Sequence, residues 1–261
     1  MIQQITTYFS EHGAEWVQMV IDHLAISGMA LAAALAIAVP LGILCSRHAW
    51  SERLATGTAG VLRVIPSLAI LIICVPYLGV GTVPAVVALT VLAIPPILIN
   101  TAVALRSVPA DVIEAGVGMG MSPARLWLTV KAPLAFPLAF SGVRTAASEI
   151  IASATLAAYI GAGGLGILIY TGLGALRNDL LWIGSISVAM LSLIVNRVLA
   201  ISIDASVRTR QLIRPLILRT ALVPAHRPRR GMTNRPPANV IAAHRSAPLI
   251  RYAPFLPKGP S

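Results

Sequence analysis

Long apolar stretches recur along this chain, and they constrain its fold more than any other feature of the sequence. Each is about 20 residues or longer, which is the length an α-helix needs to cross a bilayer. Backbone N–H and C=O groups find no partner in lipid, so such stretches form helices whose hydrogen bonds are internal. A chain that is 57% hydrophobic and only 11% charged is also not an ordinary soluble domain. We therefore predict an all-α integral membrane protein with about five transmembrane helices, at about 24–45, 57–78, 82–105, 134–158 and 180–203.

The formal net charge of +11 is unevenly distributed, and this divides the chain into three parts. Basic and acidic residues cancel before position 206, and no acidic residue follows Asp204. The segment 206–261 is rich in arginine and proline, a composition typical of disordered segments that lie near anionic lipid. It lacks the interleaved aromatic residues of a nucleic-acid-binding surface, so no nucleic-acid partner is predicted. The predicted organisation is an extracytoplasmic segment at 1–22, a transmembrane domain at 23–205 and a cytoplasmic tail at 206–261.

The positions of the basic residues predict how the chain crosses the membrane. The segment before the first span has no Lys or Arg, whereas the connections after spans one and three and the tail are all basic. The connection after span two has no charge, and the one after span four has only Arg177 beside Asp179. Positive residues in short loops favour the cytoplasmic side. The N-terminus is therefore predicted outside, and the C-terminus and the loop at 106–133 inside.

The loop at 106–133 has the residues of two short helices separated by a tight turn. Pro109 suits the first turn of a helix, and Gly120 is placed to end that helix in a left-handed conformation. Ser122 is predicted to cap a second short helix, which Pro133 would stop before span four. Ala115 and Gly116 would leave the first helix with little side-chain cover, so that a partner could approach its backbone. On these residues alone, an ordinary polar loop is an equal alternative.

The spacing within this loop resembles a known motif. Three residues separate Glu114-Ala115-Gly116 from Gly120, and one residue separates Val130 from Ala132-Pro133. This pattern is similar to the EAA loop of bacterial ABC-importer permeases, with Gly116, Val130 and Ala132 as mild departures. The resemblance implies that the loop docks onto an ATP-hydrolysing subunit. The residues it assigns to that contact are Glu114, Ala115, Gly116, Gly120 and Pro133.

The resemblance extends over about residues 20–205 and is most specific for the osmoprotectant branch, which handles glycine betaine, carnitine and choline. The segments that carry it are 65–69, 96–101, 114–144, 154–156 and 160–166. It implies a type I importer permease fold in the bacterial inner membrane, together with a second permease subunit and an extracytoplasmic solute-binding protein. No phosphate-binding GxxxxGK[ST] motif occurs, so ATP and Mg²⁺ are expected on a separate subunit and no cofactor or catalytic residue on this chain.

Two charged residues lie inside the predicted fourth span and are candidates for the translocation pathway. Insertion of each costs about 2.5–3.5 kcal/mol at a helix centre, so such residues usually face a bundle interior or an aqueous path. Glu149 could attract a quaternary ammonium group, whereas Arg144 could equally extend to the cytoplasmic surface. Asn100, Thr155 and Tyr159 are weaker candidates, for which hydrogen bonds between helices are the alternative.

Other patterns are given less functional weight. Residues 161–166 match GxGxxG, but a membrane span precedes them instead of a strand, so a dinucleotide site is rejected in favour of a turn or an outer gate. Cys45 and Cys74 lie in apolar spans and predict neither a disulfide framework nor a metal site.

Three alternatives stay open for the function. A methionine-type importer permease would keep the machinery and change the cargo. An ion-driven secondary carrier would require inverted repeats and paired ionisable groups in broken spans. A membrane anchor without transport activity would leave the loop spacing unexplained.

Overall fold

The computed structural model describes residues 2–47 and 49–221, and every regular element in that part of the chain is helical. A π-helical turn at Trp127–Lys131 and a 3-10 turn at Ala158–Ile160 extend α7 at its two ends. The helices are α1 (Ile2–Cys45), α2 (Ala49–Leu62), α3 (Ser67–Leu78), α4 (Thr82–Arg106), α5 (Ala110–Gly118), α6 (Pro123–Leu126), α7 (Ala132–Ala157), α8 (Gly166–Gly174) and α9 (Asn178–Ala221).

Four helical stretches in the described part are long and apolar enough to cross a membrane, and they coincide with four of the predicted spans. They are Thr6–Cys45, Thr82–Arg106, Pro123–Ile160 and Asn178–Ile203. The described part of the chain is therefore all-helical, with four helices of the length and composition of membrane spans. Its direction of insertion stays a prediction from the charge distribution. The backbone of α9 continues to Ala221, beyond the predicted boundary at 206, and the remainder of the predicted tail lies outside the described residues.

The segment predicted as a single span at 57–78 is instead divided into two helices. α2 ends at Leu62 and α3 begins at Ser67, and α3 has only 12 residues. Proline causes the division: Pro66 has no N–H to donate and disfavours helical geometry at the residue before it. Its own ψ of 133° is extended. A helix of 12 residues is about 18 Å long, which is too short for a hydrocarbon core of about 30 Å.

The centre of the fold is a close contact between α1, α4 and α7, made largely by small residues. Ala30, Ala34 and Ala38 of α1 have no exposed surface. A Cβ added at Gly142 of α7 would lie 2.6 Å from the Pro96 carbonyl oxygen of α4, so the two helices approach to backbone distance there. Membrane helices associate through small residues because lipid supplies little hydrophobic driving force between them.

Residues 2–22, which belong to the predicted extracytoplasmic segment, form part of the long helix α1. Its helical geometry is interrupted at His12, where φ is −121° and ψ is 19°. Beyond this point Trp16 packs against the cluster that contains Leu165 and Leu168. The Trp16 Nε1–H also donates a hydrogen bond of 3.0 Å to the Ser187 Oγ. The N-terminal part of α1 is thereby held against α8 and α9.

Candidate functional site

The predicted loop forms a helix, a glycine turn and a second helix, which together we call the loop hairpin (residues 110–126). Pro109 lies at the N-cap, immediately before α5. Gly120 has a φ of +74° and ends the first helix, as predicted. The Met121 N–H donates to the Gly116 carbonyl at 3.2 Å, and the Gly120 N–H donates to the Val117 carbonyl at 2.9 Å. This pair of bonds is the Schellman arrangement, which satisfies carbonyls left open at a helix end.

The second helix starts at the predicted cap but does not stop where predicted. The Ser122 Oγ accepts a hydrogen bond from the Arg125 N–H at 3.4 Å, with Pro123 at the first helical position. The prediction that Pro133 ends this helix is wrong, since the helical run continues from Pro123 to Ile160. The π-helical turn explains this, because the Ala132 N–H donates to the Trp127 carbonyl five residues back. The wider turn accommodates a proline that cannot donate.

Gly116 occupies a different place from the one predicted for it. It is buried, and a Cβ added there would clash with the Leu126 Cδ1 of the second helix. Gly116 therefore lets the two helices of the loop hairpin pack together, instead of leaving an open backbone surface. Glu114 and Ala115 are exposed on the hairpin, together with Val117 and Met119. These side chains form the surface that a partner can reach.

Asn100 lies in the contact between α4 and α7. Its Nδ2 donates to the Pro96 carbonyl at 2.8 Å, and its Oδ1 accepts from the Ser141 Oγ at 3.3 Å. A Cβ added at Gly142 would lie 2.6 Å from the Asn100 Cβ. The structure thus places this amide where the alternative interpretation expected it, in a hydrogen bond between helices.

Arg144 lies at the middle of α7, and its side chain forms hydrogen bonds with α9. Its Nε and Nη2 donate to the Asn196 Oδ1 at 3.1 and 2.7 Å. The Asn196 Nδ2 in turn donates to the Ser148 Oγ at 3.2 Å. The Arg144 guanidinium is therefore held against α9, and the extension to the cytoplasmic surface that the sequence left open stays an alternative. Asn196 was not predicted as a site residue; an amide within an apolar stretch is a signal of a buried hydrogen bond, but Asn196 stands directly beside Arg197.

Glu149 forms an ion pair with a residue far away in the sequence. Its Oε1 lies 2.8 Å from the Arg63 Nη2, and the side chains are 35% and 42% exposed, respectively. A charge inside the predicted span four therefore has an ionic partner from another part of the chain. Arg63 follows α2 directly, at the start of the break before α3. From the sequence, Arg63 counts only as one of the basic residues after span one, which predict the orientation of the chain.

The remaining predicted pathway residues lie apart from this ion pair. The Thr155 Oγ1 donates to the carbonyl of Ala152 on its own helix at 2.7 Å. Tyr159 is 66% exposed, and its ring centroid lies 5.6 Å from that of Tyr170. Arg144 and Glu149 do share one groove of about 380 Å³, which is lined by Ser141, Arg144, Thr145, Ser148, Glu149 and Asn196. Thr155 lines a neighbouring groove of about 550 Å³.

The glycine-rich segment after α7 is a turn that packs on α1. Gly161, Gly163 and Gly164 have φ values of +76°, +90° and +81°. A Cβ at Gly164 would lie 3.0 Å from the Nδ1 of His23, a fully buried residue whose Nε2 lies 3.0 Å from the Ile151 carbonyl. A helix precedes this segment, which agrees with the rejection of a dinucleotide site. Across the described ranges, no group of three His, Cys, Asp or Glu side chains is arranged to hold a metal ion.

Comparison with models of known protein families identifies the family of this chain. A family model described as "Binding-protein-dependent transport system inner membrane component" matches residues 38–211, which is most of the helical part. This chain belongs to that family. Its helices, loop hairpin and glycine turn are therefore those of a transport permease subunit of the inner membrane.

Several curated members of the family are similar over most of their length. The carnitine transport permease protein OpuCB of Listeria monocytogenes is 44% identical over 73% of this chain and 88% of its own. The choline transport system permease protein OpuBB of Bacillus subtilis is 36% identical over 77% and 93%. The osmoprotectant import permease protein OsmW of Salmonella typhimurium is 34% identical over 72% and 90%.

The solved structures support the fold. A chain of the inward-facing MetNI methionine ABC transporter superposes with a TM-score of 0.61 at 24% identity, covering 74% of this chain and 94% of that one. At this identity the likeness shows the fold alone. This chain has the all-helical fold of a type I ABC-importer permease.

Proposed function

We propose that this chain is the membrane-spanning subunit of an ATP-driven importer for osmoprotectants of the quaternary ammonium class. The observation that carries the proposal is the similarity at 34–44% identity to permeases named for carnitine, choline and osmoprotectant transport. The methionine alternative has only the likeness in fold in its favour, at 24% identity. Glycine betaine, carnitine and choline share a quaternary ammonium group, so this group defines the proposed cargo class.

The loop hairpin is the proposed docking element for a separate ATPase subunit, which binds ATP and Mg²⁺. Glu114 and Ala115 are exposed there beside Met119, whose flexible side chain suits an adaptable contact. Gly116, which is buried between the two helices, and Gly120, which lies in the exposed turn, are proposed to set the shape of the hairpin. The chain itself is proposed to have no catalytic role, with an external binding protein delivering cargo and a second permease subunit completing the path.

The continuous helical run supplies a mechanical route from the ATPase to the membrane. Residues from Pro123 to Ile160 form one run of 38 residues, which includes the proline predicted to interrupt it. A displacement of the loop hairpin is therefore passed on to α7 without an intervening loop. α7 carries Arg144 and Glu149, which we propose as pathway residues at the middle of the membrane. Pro133 contributes through the wider turn that precedes it, not as an end to the helix.

The three weaker candidates have different proposed roles. Asn100 holds α4 against α7 and is proposed to maintain the path instead of contacting cargo. Thr155 faces the groove next to that of Arg144, and Tyr159 is exposed beside Tyr170. Both are proposed as pathway residues nearer the end of α7.

Uptake by the complete transporter tests the proposal. Cells that lack their own osmoprotectant importers would express this chain together with the ATPase and the solute-binding protein encoded next to its gene. We expect uptake of labelled glycine betaine, carnitine or choline, and none of labelled methionine. Uptake of methionine alone would refute the cargo class.

A pair of matched neutralisations tests the docking element. Glu114→Gln and Asp111→Asn each remove one negative charge from an exposed position of α5. A charge-assisted hydrogen bond across an interface contributes about 1.5–3 kcal/mol, so Glu114→Gln should weaken ATPase co-purification by at least about tenfold. Asp111→Asn should stay within about twofold. Equal effects of the two changes would contradict docking through Glu114.

A further inference from the structure

The break between α2 and α3 puts irregular backbone inside the segment predicted as the second membrane span. α3 leads from Ser67 to Leu78, and Gly79–Gly81 then connects it to the start of α4, a helix long enough to span a membrane. If Gly79–Gly81 lies at one edge of a hydrocarbon core of about 30 Å, the first residue of α3, a helix about 18 Å long, lies roughly halfway across that core. Val64 in the break is 80% exposed. Lipid does not tolerate exposed irregular backbone, which occurs at this depth only when protein covers it or water reaches it.

An independent observation points to the same surface. Glu149 is eight residues from the end of α7, which is about 12 Å along the helix, and it is paired with Arg63 in the break. More than a third of each side chain is exposed. Charged groups within a membrane face a protein interior or an aqueous cavity. The ion pair and the broken helix therefore exclude lipid from one common surface.

We propose that this surface lines a water-filled cavity and that the Arg63–Glu149 pair is a binding site for a zwitterionic cargo. When the pair opens, the Glu149 carboxylate takes the ammonium end of the cargo and the Arg63 guanidinium takes its carboxylate end. The identity of the cargo rests on the proposed function, whereas the cavity rests only on the break and the ion pair.

The charge balance favours a zwitterion over a simple cation. Opening the pair at membrane depth leaves two unpaired charges, which is costly in a medium of low dielectric. A zwitterion such as glycine betaine pairs both charges again, and the net charge of the site does not change. A cation such as choline pairs Glu149 but leaves Arg63 without a partner. Arg63 is therefore assigned as a residue that distinguishes cargo with a carboxylate from cargo without one.

Chemical labelling tests the cavity without any cargo. Cys45→Ala and Cys74→Ala remove the two native thiols, and single cysteines are then introduced as Val64→Cys, Thr145→Cys and, as a control, Met190→Cys. Met190 is 52% exposed on an uncharged apolar stretch of α9. A membrane-impermeant, water-soluble thiol reagent applied to the assembled transporter in vesicles, from each side in turn, should modify positions 64 and 145 at least about tenfold faster than position 190. Rates as slow as that of the control at both positions would overturn the cavity.

Two neutralising variants test the cargo site in the complete transporter. We expect Arg63→Gln to reduce uptake of glycine betaine at least about tenfold more than uptake of choline, whereas Glu149→Gln reduces both. Equal losses for the two cargoes in Arg63→Gln, or normal uptake by Glu149→Gln, would overturn the assignment. Each variant must first be shown to co-purify with its ATPase, so that assembly is not what changes.

The two proposals fail in distinguishable ways. A wild-type transporter that imports none of glycine betaine, carnitine and choline overturns the proposed function and with it the cargo assignment, while labelling at positions 64 and 145 still decides the cavity. A wild-type transporter that imports both glycine betaine and choline, with variants that behave like it, overturns the binding site alone.

Discussion

Replacing Gly120 by alanine is expected to destabilise the loop hairpin through the backbone alone. Gly120 has a φ of +74°, and no atom lies within 4 Å of where a Cβ would be placed. A Cβ in the left-handed region costs roughly 1–2 kcal/mol, which corresponds to about a 5- to 30-fold change in an equilibrium. The hairpin should therefore open about 5 to 30 times more often in Gly120→Ala than in the wild type.

Gly118 provides a matched control two residues away. A Cβ at this position also meets no atom within 4 Å, but its φ is not positive and it lies within α5. Alanine is favoured over glycine in a helix by about 0.5–1 kcal/mol. Gly118→Ala is therefore expected to reduce opening by about two- to fivefold, the opposite sign to Gly120→Ala.

Amide hydrogen exchange of the purified transporter measures this difference directly. The Gly120 and Met121 N–H groups close the Schellman arrangement, so their exchange reports opening of the hairpin. Peptides that cover 116–126 should exchange faster in Gly120→Ala and slower in Gly118→Ala. If both variants exchange faster, or if Gly120→Ala exchanges like the wild type, then the backbone conformation of Gly120 does not hold the hairpin closed.

Two further pairs of variants, each a change with its control, probe how the helices are held together. Gly142→Val should destabilise the protein by about 1–3 kcal/mol or more, because its Cβ would lie 2.6 Å from the Pro96 carbonyl; a lowered melting temperature in detergent checks this. Gly28→Ala, which meets no atom within 4 Å, should leave that temperature unchanged or raise it, and a drop as large as that of Gly142→Val would refute the argument. Asn196→Leu should destabilise the fold by about 1.5–3 kcal/mol because Arg144 loses its acceptor, whereas Asn196→Asp keeps the accepting oxygen. Equal melting temperatures for these two variants would contradict a role for this bond.

The conformation of the loop could be predicted in detail because local chemistry determines it. A glycine able to adopt a left-handed φ, and a serine followed by proline, identify a helix end and a helix start without knowledge of the rest of the fold. The structure shows both at the predicted residues, Gly120 and Ser122. The fate of Pro133 was not predictable in the same way, because a π-helical turn has no comparable signature in the sequence. Its effect on the preceding turn depends on the long helix that continues on both sides.

The partners of the charged residues could not be predicted because they are distant in sequence. Glu149 pairs with Arg63, 86 positions earlier, and Arg144 with Asn196, 52 positions later. A sequence shows that a charge inside an apolar span is costly and must be compensated, but it does not show which group compensates it. Gly116 is a similar case, since only the fold shows that Leu126 occupies the space beside it.

The divided second span shows that the mean hydropathy of an apolar stretch does not reveal a break within it. Residues 57–78 are long enough and apolar enough to suggest one helix, yet they contain Arg63 and Pro66 within four positions. A proline alone would have predicted a kink, and an arginine alone would have predicted a buried partner. Arg63 and Pro66 occur together, and Arg63 is paired with the Glu149 carboxylate of α7. This combination favours a break in the helix that lipid does not cover. The pairing of a helix-breaking residue with a charge is therefore the feature of this span that carries functional information, and its apolar length alone does not.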